Sequence, residues 1–248
     1  MPRSTFVKHV GCPKCGSSDA LAIYSDGGAH CFAAGCNYHI NGGNMITQIT
    51  EAAPVKACRL NMGGTVAAIP QRRLSQETCK HFGLTVEYST TGEIIKHYYP
   101  YYKIDTNEVG SAKVREVKTK NFHTTGDVTG VGFFGQNKCT TNRYLTITEG
   151  ELDALAVYEM SGRKWDVVSL RAGAANAAKE IKEQLEWIEG YEQVVLCFDN
   201  DKAGDAAVDQ VKDIFSPNKL KIVKLPLKDA SDMLMANKVK EFTQAWWN

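Results

Sequence analysis

From residue 143 onward the chain alternates short β-branched runs with stretches of helix length. RYLTIT is followed by GELDALAVYEMS, DVVSL by AANAAKEIKEQLEWI and QVVLCF by GDAAVDQVKDIF, and LKIVKLPL closes the series as a final strand. Strands that recur with a helix between them predict parallel pairing, because a helix is the usual crossover between parallel neighbours. No other feature narrows the fold so far. In such a sheet, ligands bind beyond the carboxyl ends of the strands.

Those ends carry acids. RYLTIT runs into Glu149-Gly150, QVVLCF into Asp199 and Asp201, and LKIVKLPL into Asp229 and Asp232. Asp153 lies one helical turn after Glu149, on the same side of the helix start. A single acid in such a place reads as a helix cap or turn former. Asp199 and Asp201 stand at i and i+2, where extended backbone points side chains the same way. Two like charges so held cost free energy, which a divalent cation offsets, and hard oxygen ligands suit Mg²⁺. The convergence predicts a metal site of Glu149, Asp199, Asp201 and Asp229, with Asp153 orienting it and Asp232 a weaker contributor. The chain has no G-x-x-x-x-G-K-[ST], which excludes a P-loop motor.

The chain begins in another texture. CPKC, fifteen residues, then CFAAGC predicts a zinc ribbon in which Cys12, Cys15, Cys31 and Cys36 surround one structural Zn²⁺. His39 is the alternative fourth ligand. A redox dithiol at Cys12 and Cys15 lacks the strand–helix setting that such motifs need. Cys58, Cys79, Cys139 and Cys197 are scattered, as small residues of a reducing compartment are. Between the cysteine pairs, LAIYSDGGAHCF predicts a hairpin turning at Asp26-Gly27-Gly28 and bearing Tyr24, His30 and Phe32. A small metal-held sheet of this kind is a platform for nucleic-acid bases.

These textures divide the chain into a ribbon at 1–42, a linker at 43–64, a mixed α+β region at 65–142, a parallel-sheet region at 143–232 and a C-terminal tail at 233–248. In the third, LSQETCKHFGL predicts a helix with Ser75 as N-cap and Gly83 as stop. HYYPYYKID and VGSAKVREV predict antiparallel strands. KVKEFTQAWWN predicts a short amphipathic helix. A net charge of +1 means that any nucleic-acid binding must rest on local patches. One such patch is AKVREVKTKNF, with Lys113, Arg115, Lys118 and Lys120 against Glu116, although a charge run is more often a solvated strand face. No apolar run approaches the ~20 residues of a membrane span, and MPRSTFVKHVGC lacks the apolar core of a signal peptide. A cytoplasmic protein with no membrane partner is the expectation.

TEGELDAL resembles the E-G-x-x-D motif of Toprim domains, and FDNDKAG resembles their D-x-D motif with its trailing glycine. A zinc ribbon ahead of a Toprim domain resembles a DNA primase. The succession CPKCGSSD, AKVREVKTKNFHTTG, TEGELD, VVSLRAGAANA, FDNDKAG and LPLKDASD is similar, over nearly the whole chain, to the primase half of T-odd bacteriophage primase–helicases. The fold so implied is α/β within an α+β whole: a template-recognising ribbon, then a two-part RNA polymerase domain with the Toprim subdomain second. The function implied is RNA primer synthesis from ribonucleoside triphosphates on single-stranded DNA, with two Mg²⁺ or Mn²⁺ ions. Glu149, Asp153, Asp199, Asp201 and Asp229 would be catalytic, Glu149 as ligand or general base. Lys113, Arg115, Lys118, Lys120, Arg171 and His30 would meet nucleotide or template. A replicative helicase, in cis or in trans, and a DNA polymerase receiving the primers are the implied partners, in the host cytoplasm. The rival classes are a non-catalytic zinc-ribbon DNA-binding protein with a relic Toprim fold and a Toprim nuclease or topoisomerase. A topoisomerase needs a catalytic tyrosine in a separate cleavage domain, for which the chain has no obvious room.

Overall fold

The computed structural model describes residues 4–14, 20–32, 36, 38–42 and 59–248. They fall into two compact units, Met1–Arg59 and Leu60–Asn248. Most of the segment read as a linker, residues 43–58, lies outside the described residues, as does Cys15.

In the first unit, β1 (Phe6–Val10), β2 (Leu21–Tyr24), β3 (Ala29–Cys31) and β4 (His39–Ile40) form an antiparallel sheet in chain order. The expected hairpin turn is present. Tyr24 N–H donates to the Gly28 carbonyl at 2.9 Å, Gly28 N–H donates to Asp26 Oδ1 at 2.9 Å, and Gly27 takes the left-handed φ of 81° that glycine permits. The core is very small: Leu21, Ile23 and Ala29 packed against Cys12, Cys31 and Cys36.

The second unit opens on α1 (Gln76–Phe82). Ser75 Oγ accepts from Thr78 N–H at 3.2 Å, and Gly83 at φ 71° ends the helix, as its sequence signals require. Next come β5 (Thr85–Tyr88), β6 (Ile94–Tyr102), β7 (Val109–Glu116) and β8 (Phe122–Gly126), an antiparallel meander. The remainder is β9 (Tyr144–Thr148), α2 (Glu151–Met160), β10 (Asp166–Ser169), α3 (Ala177–Glu183), α4 (Leu185–Glu189), β11 (Gln193–Cys197), α5 (Lys202–Val211), β12 (Leu220–Ile222), α6 (Ala230–Met235) and α7 (Val239–Trp247). Its four strands are parallel in the order β10-β9-β11-β12.

Alternate residues of these strands enter two different cores, which is why the strands read as unbroken apolar runs. Val167, Val195 and Cys197 pack with Leu155 of α2, Met233 of α6 and Phe242 of α7. Leu145, Ile147, Val168, Val194 and Leu196 pack with Ile181 of α3, Ile188 of α4 and Val211 of α5. So α2 and α5 lie on opposite faces of the sheet.

Three elements differ from expectation. The single helix expected over 174–188 breaks at Gln184, whose φ of −111° and ψ of 12° leave the helical region and whose side chain pairs with Gln136 at 3.1 Å. The last strand stops at Ile222, after pairing with Val194–Leu196, and the Val223 N–H makes the final bond to β11, at 2.9 Å to the Leu196 carbonyl. The C-terminal helix, in the segment read as a tail, is part of the core. Trp246 is 1% exposed, stacks on Trp165 with ring centroids 3.8 Å apart, and donates its Nε1–H to Thr146 Oγ1 of β9 at 3.0 Å. Trp246→Ala is therefore expected to destabilise the unit by about 3–5 kcal/mol in denaturant titration, the range for emptying a buried aromatic site.

Candidate active site

The strand order reverses between β9 and β11, which run parallel. From β9 the chain crosses to β10 on one side, and from β11 it crosses to β12 on the other. A crevice forms at the carboxyl ends of such a strand pair, and the acids predicted from strand ends meet there.

Glu149 follows β9, and its Oε1 accepts from the backbone N–H of Asp199 at 3.1 Å. Gly204 makes this approach possible: a Cβ on it would sit 2.1 Å from the Asp199 carbonyl oxygen and 2.8 Å from Glu149 Oε1. The trailing glycine of FDNDKAG is thus a packing requirement. Asp199 and Asp201 lie in the loop after β11 rather than in extended strand, and they are used differently. Asp201 caps α5, its Oδ1 accepting from Ala203 N–H at 2.9 Å and Gly204 N–H at 3.1 Å. Asp199 caps nothing. Lys228 bridges the pair, with Nζ 3.2 Å from Asp199 Oδ2 and 3.8 Å from Asp201 Oδ2.

Asp229 caps α6, its Oδ1 accepting from Asp232 N–H at 2.7 Å. Asp153 reaches across from α2 to accept from Ser231 N–H at 3.0 Å. Glu149, Asp153, Asp199, Asp201 and Asp229 are brought together, and Asp232 stands on the first turn of α6 beside them.

The electrostatics fit a cation. Burial, then the Asp199 charge, pushes Glu149 up to about 7. Burial, then Asp229, holds Asp153 well above the usual carboxylate range. Burial raises Asp199 against the opposing effect of Lys228. Asp201 is lowered, chiefly by its hydrogen bond from the Gly204 amide. The donors are all oxygen, the set that Mg²⁺ and Mn²⁺ prefer.

A pH dependence follows. Glu149, Asp199 and Asp153 hold protons more tightly folded than unfolded, so the metal-free protein is stabilised by these groups at low pH. That contribution falls as pH rises from the unfolded carboxylate range through about 7. Mg²⁺ binds the deprotonated form, so the rise in Tm on adding Mg²⁺ should grow from pH 5.5 to pH 8. A constant increment across that window would mean that these carboxylates do not bind the cation.

The basic run splits. Lys113 and Arg115 lie on the same face of β7, whereas Lys118 and Lys120 stand exposed in the β7–β8 turn. Lys113 pairs with Glu151 at 2.5 Å, and Glu151 also accepts from Tyr101 Oη at 2.5 Å. Arg115 is buried opposite His97, whose basicity drops to about 4 through burial and then the Arg115 charge. Arg171 is held by Glu180, Glu183 and the Val131 carbonyl. Its charge is already matched by carboxylates. Lys228 and Glu151 escaped the sequence reading, though LPLKDASD and TEGELD place each within two residues of a predicted site acid.

In the first unit the sulfurs of Cys12, Cys31 and Cys36 lie within 4.8 Å of one another, all buried. Cys12 Sγ and Cys36 Sγ are 3.6 Å apart, close to the ~3.8 Å edge of a tetrahedron with Zn–S bonds of about 2.3 Å. These thiols fit a zinc ion, and Cys36 rather than His39 stands in the cluster. His30 is exposed on β3, opposite His39, with Phe32 edge-on at 4.8 Å.

Residues 146–234 match the family model described as Toprim-like. The class defined by fold and site is therefore a Toprim catalytic core in a chain that also carries a cysteine-clustered ribbon. The chain is 31% identical, over 99% of its length, to the DNA helicase/primase of Enterobacteria phage T3, and it spans 44% of that protein. It matches the primase fragment of the bacteriophage T7 primase–helicase with a TM-score of 0.69 at 29% identity, over 98% of this chain and 100% of that one. A chain from the complex of T7 lagging-strand DNA polymerase with primase domains and an RNA/DNA hybrid matches at 32% identity and a TM-score of 0.68, over 75% of this chain and 92% of that one. The chain belongs to the Toprim-type DNA primases, in the group formed by the primase halves of phage primase–helicases.

Proposed function

We propose that the chain makes short RNA primers on single-stranded DNA, joining ribonucleoside triphosphates by metal-dependent nucleotidyl transfer. The observation that carries this reading is the meeting of Glu149, Asp199 and Asp201 at the crevice between β9 and β11. Glu149, Asp199, Asp201 and Asp229 would hold two Mg²⁺ or Mn²⁺ ions. Such ions, when bound, activate an attacking hydroxyl and neutralise phosphate charge.

In the reaction, a ribose 3′-hydroxyl attacks the α-phosphorus of the next nucleotide and pyrophosphate leaves. Glu149 is placed to ligate a cation or to accept the hydroxyl proton. Asp153, fixed on the Ser231 amide, orients the acids around it. Lys228 bridges Asp199 and Asp201, and its ammonium would be a partner for the charge of the leaving pyrophosphate. Lys113 and Arg115 face the template or triphosphate, with Lys118 and Lys120 contacting backbone phosphates from the turn. Cys12, Cys15, Cys31 and Cys36 would hold one structural zinc, and the ribbon, with His30 on its face, reads the template. A helicase and a primer-accepting DNA polymerase are the partners, in the host cytoplasm.

The test is ribonucleotide incorporation on single-stranded DNA with and without Mg²⁺. Short RNA products that need both template and Mg²⁺ are expected. DNA binding without incorporation would favour a non-catalytic ribbon protein, and template cleavage would favour a nuclease.

A further inference from the structure

The acids occupy one pole of the parallel sheet. At the opposite pole, where β9 and β10 begin, aromatic rings gather instead. Tyr144 opens β9, Trp165 precedes β10, and the end of α7 brings Trp246 and Trp247 to them. Trp246 is buried, but Trp247 is 52% exposed, its ring nearly perpendicular to Tyr144 at 5.7 Å and to Trp165 at 5.8 Å. Tyr144 lies four residues before Thr148. At ~3.3 Å per residue, this pole is about 13 Å from the strand end that leads to Glu149.

Cations lie around the rings. Arg143 is over Tyr144 at 5.4 Å, and Lys221 is over Trp246 at 5.8 Å. Trp165 also lines a pocket of about 90 Å³ with His81, Lys138, Arg163, Lys164 and Asp166. Asp166 offsets little of this charge. It is 7% exposed, and its carboxylate already accepts from Thr140 N–H at 3.2 Å, Thr141 N–H at 2.8 Å and Tyr191 Oη at 3.0 Å. Arg163 pairs with Glu77 and Glu159, and Arg143 with Glu192. Among the described residues, Lys138, Lys164 and Lys221 make no ion pair.

A single exposed aromatic side chain is ordinary in a soluble protein. An exposed tryptophan beside uncommitted lysines is the combination that holds single-stranded nucleic acid, since a base stacks on the ring while cations follow the phosphates. Here Trp165 touches both Trp247 and the lysine pocket, so ring and cations are contiguous. We infer that this pole is a second strand-binding surface, on which a base of single-stranded DNA stacks against Trp247 and a neighbouring phosphate enters the pocket of Lys138 and Lys164. The choice of DNA rests on the primer-synthesis reading, in which single-stranded DNA is the template.

The test is photo-crosslinking in EDTA, with the whole chain and a short single-stranded deoxythymidylate carrying 5-iodouracil. Yield on the Trp165 and Trp247 peptides during a titration reports this pole apart from the ribbon and the β7–β8 turn. Trp247→Ala is expected to raise the DNA concentration for half-maximal crosslinking at Trp165 at least fivefold, and Trp247→Phe, which keeps a stacking ring, to stay within twofold. The double variant Lys138→Gln/Lys164→Gln should weaken binding and flatten the slope of log affinity against log salt by about 0.7 for each lysine. If Trp247→Ala fails to fold, this lysine variant, at side chains that lie outside the core, carries the test. No crosslink at this pole, or an unchanged salt slope in the lysine variant, overturns the inference. So does displacement by polyglutamate or by RNA at a lower concentration than by unlabelled DNA, which would assign the pole to an acidic protein segment or to the RNA product. Wild type that crosslinks here in EDTA but incorporates no ribonucleotide in Mg²⁺ would sink the primase reading and leave this surface standing.

Discussion

Asp199→Asn lowers primer synthesis by several orders of magnitude while the metal-free protein melts at an equal or higher temperature. Asp199 is half-buried beside Glu149 and Asp229, with burial and like charge raising its proton affinity. In the metal-free state the charge is a liability, and removing it also relieves Glu149, for which Asp199 is the second cause of a pKa near 7. The loss on the other side is the contact with Lys228, a side chain 55% exposed, and ion pairs in that setting contribute little. Asp199 is proposed as a metal ligand, and the loss of such a ligand falls on the chemistry instead. Asp201 behaves differently because it caps α5. Asp201→Asn keeps the cap and should be neutral in stability, whereas Asp201→Ala should cost about 1 kcal/mol. Both should be inactive. Thermal melts with and without Mg²⁺, beside a primer-synthesis assay, separate the effects, and a destabilised but active Asp199→Asn would reduce FDND to the end of a strand.

The contrast within FDND marks how far sequence reasoning reaches. Periodicity placed the strands and the edge they share, because alternate burial on two faces leaves a continuous apolar run and an acid just past it is visible. The Ser75 cap and the Gly83 stop were legible because capping is a local event. Local rules also proposed that Asp199 and Asp201 point together, and here a helix cap and one tertiary contact decide instead. Asp201 turns to the α5 amides, and the ammonium of Lys228, from a loop 27 residues further on, comes between the two acids. Glu151 escaped notice, and the neighbours of Arg171 were not legible, because both depend on contacts distant in sequence. Lys113 and Tyr101 reach Glu151 from the antiparallel sheet, whereas Arg171 meets Glu180 and Glu183 of its own following helix and the Val131 carbonyl across from it. Trp246 read as part of a tail because its slot against Trp165 and Thr146 exists only after folding.

Stripping zinc should abolish templated initiation while the larger unit continues to melt as before. Among its described residues the Met1–Arg59 unit has a core of Leu21, Ile23 and Ala29 with three cysteines, little apolar burial to hold a fold unaided. Metal binding by clustered thiolates contributes on the order of 10 kcal/mol or more in small zinc modules, so the proposed zinc would be the principal term holding this sheet together. The Leu60–Asn248 unit has two extensive cores and, among the described residues, no clustered thiols. Its buried cysteines are held as inert thiols, Cys79 pushed up to about 12 by burial and Cys197 raised likewise. A chelator therefore removes the low-temperature transition of the whole chain and spares the high-temperature one, with Mg²⁺-dependent nucleotide binding retained. Cys36→Ser should lose zinc and initiation together, and His39→Ala should keep zinc, because Cys36 stands in the sulfur cluster and His39 does not. Zinc retained in Cys36→Ser but lost in His39→Ala would reverse the ligand assignment. Zinc-free protein that still initiates at the same template sites would take template reading away from the ribbon and assign it to the Toprim unit.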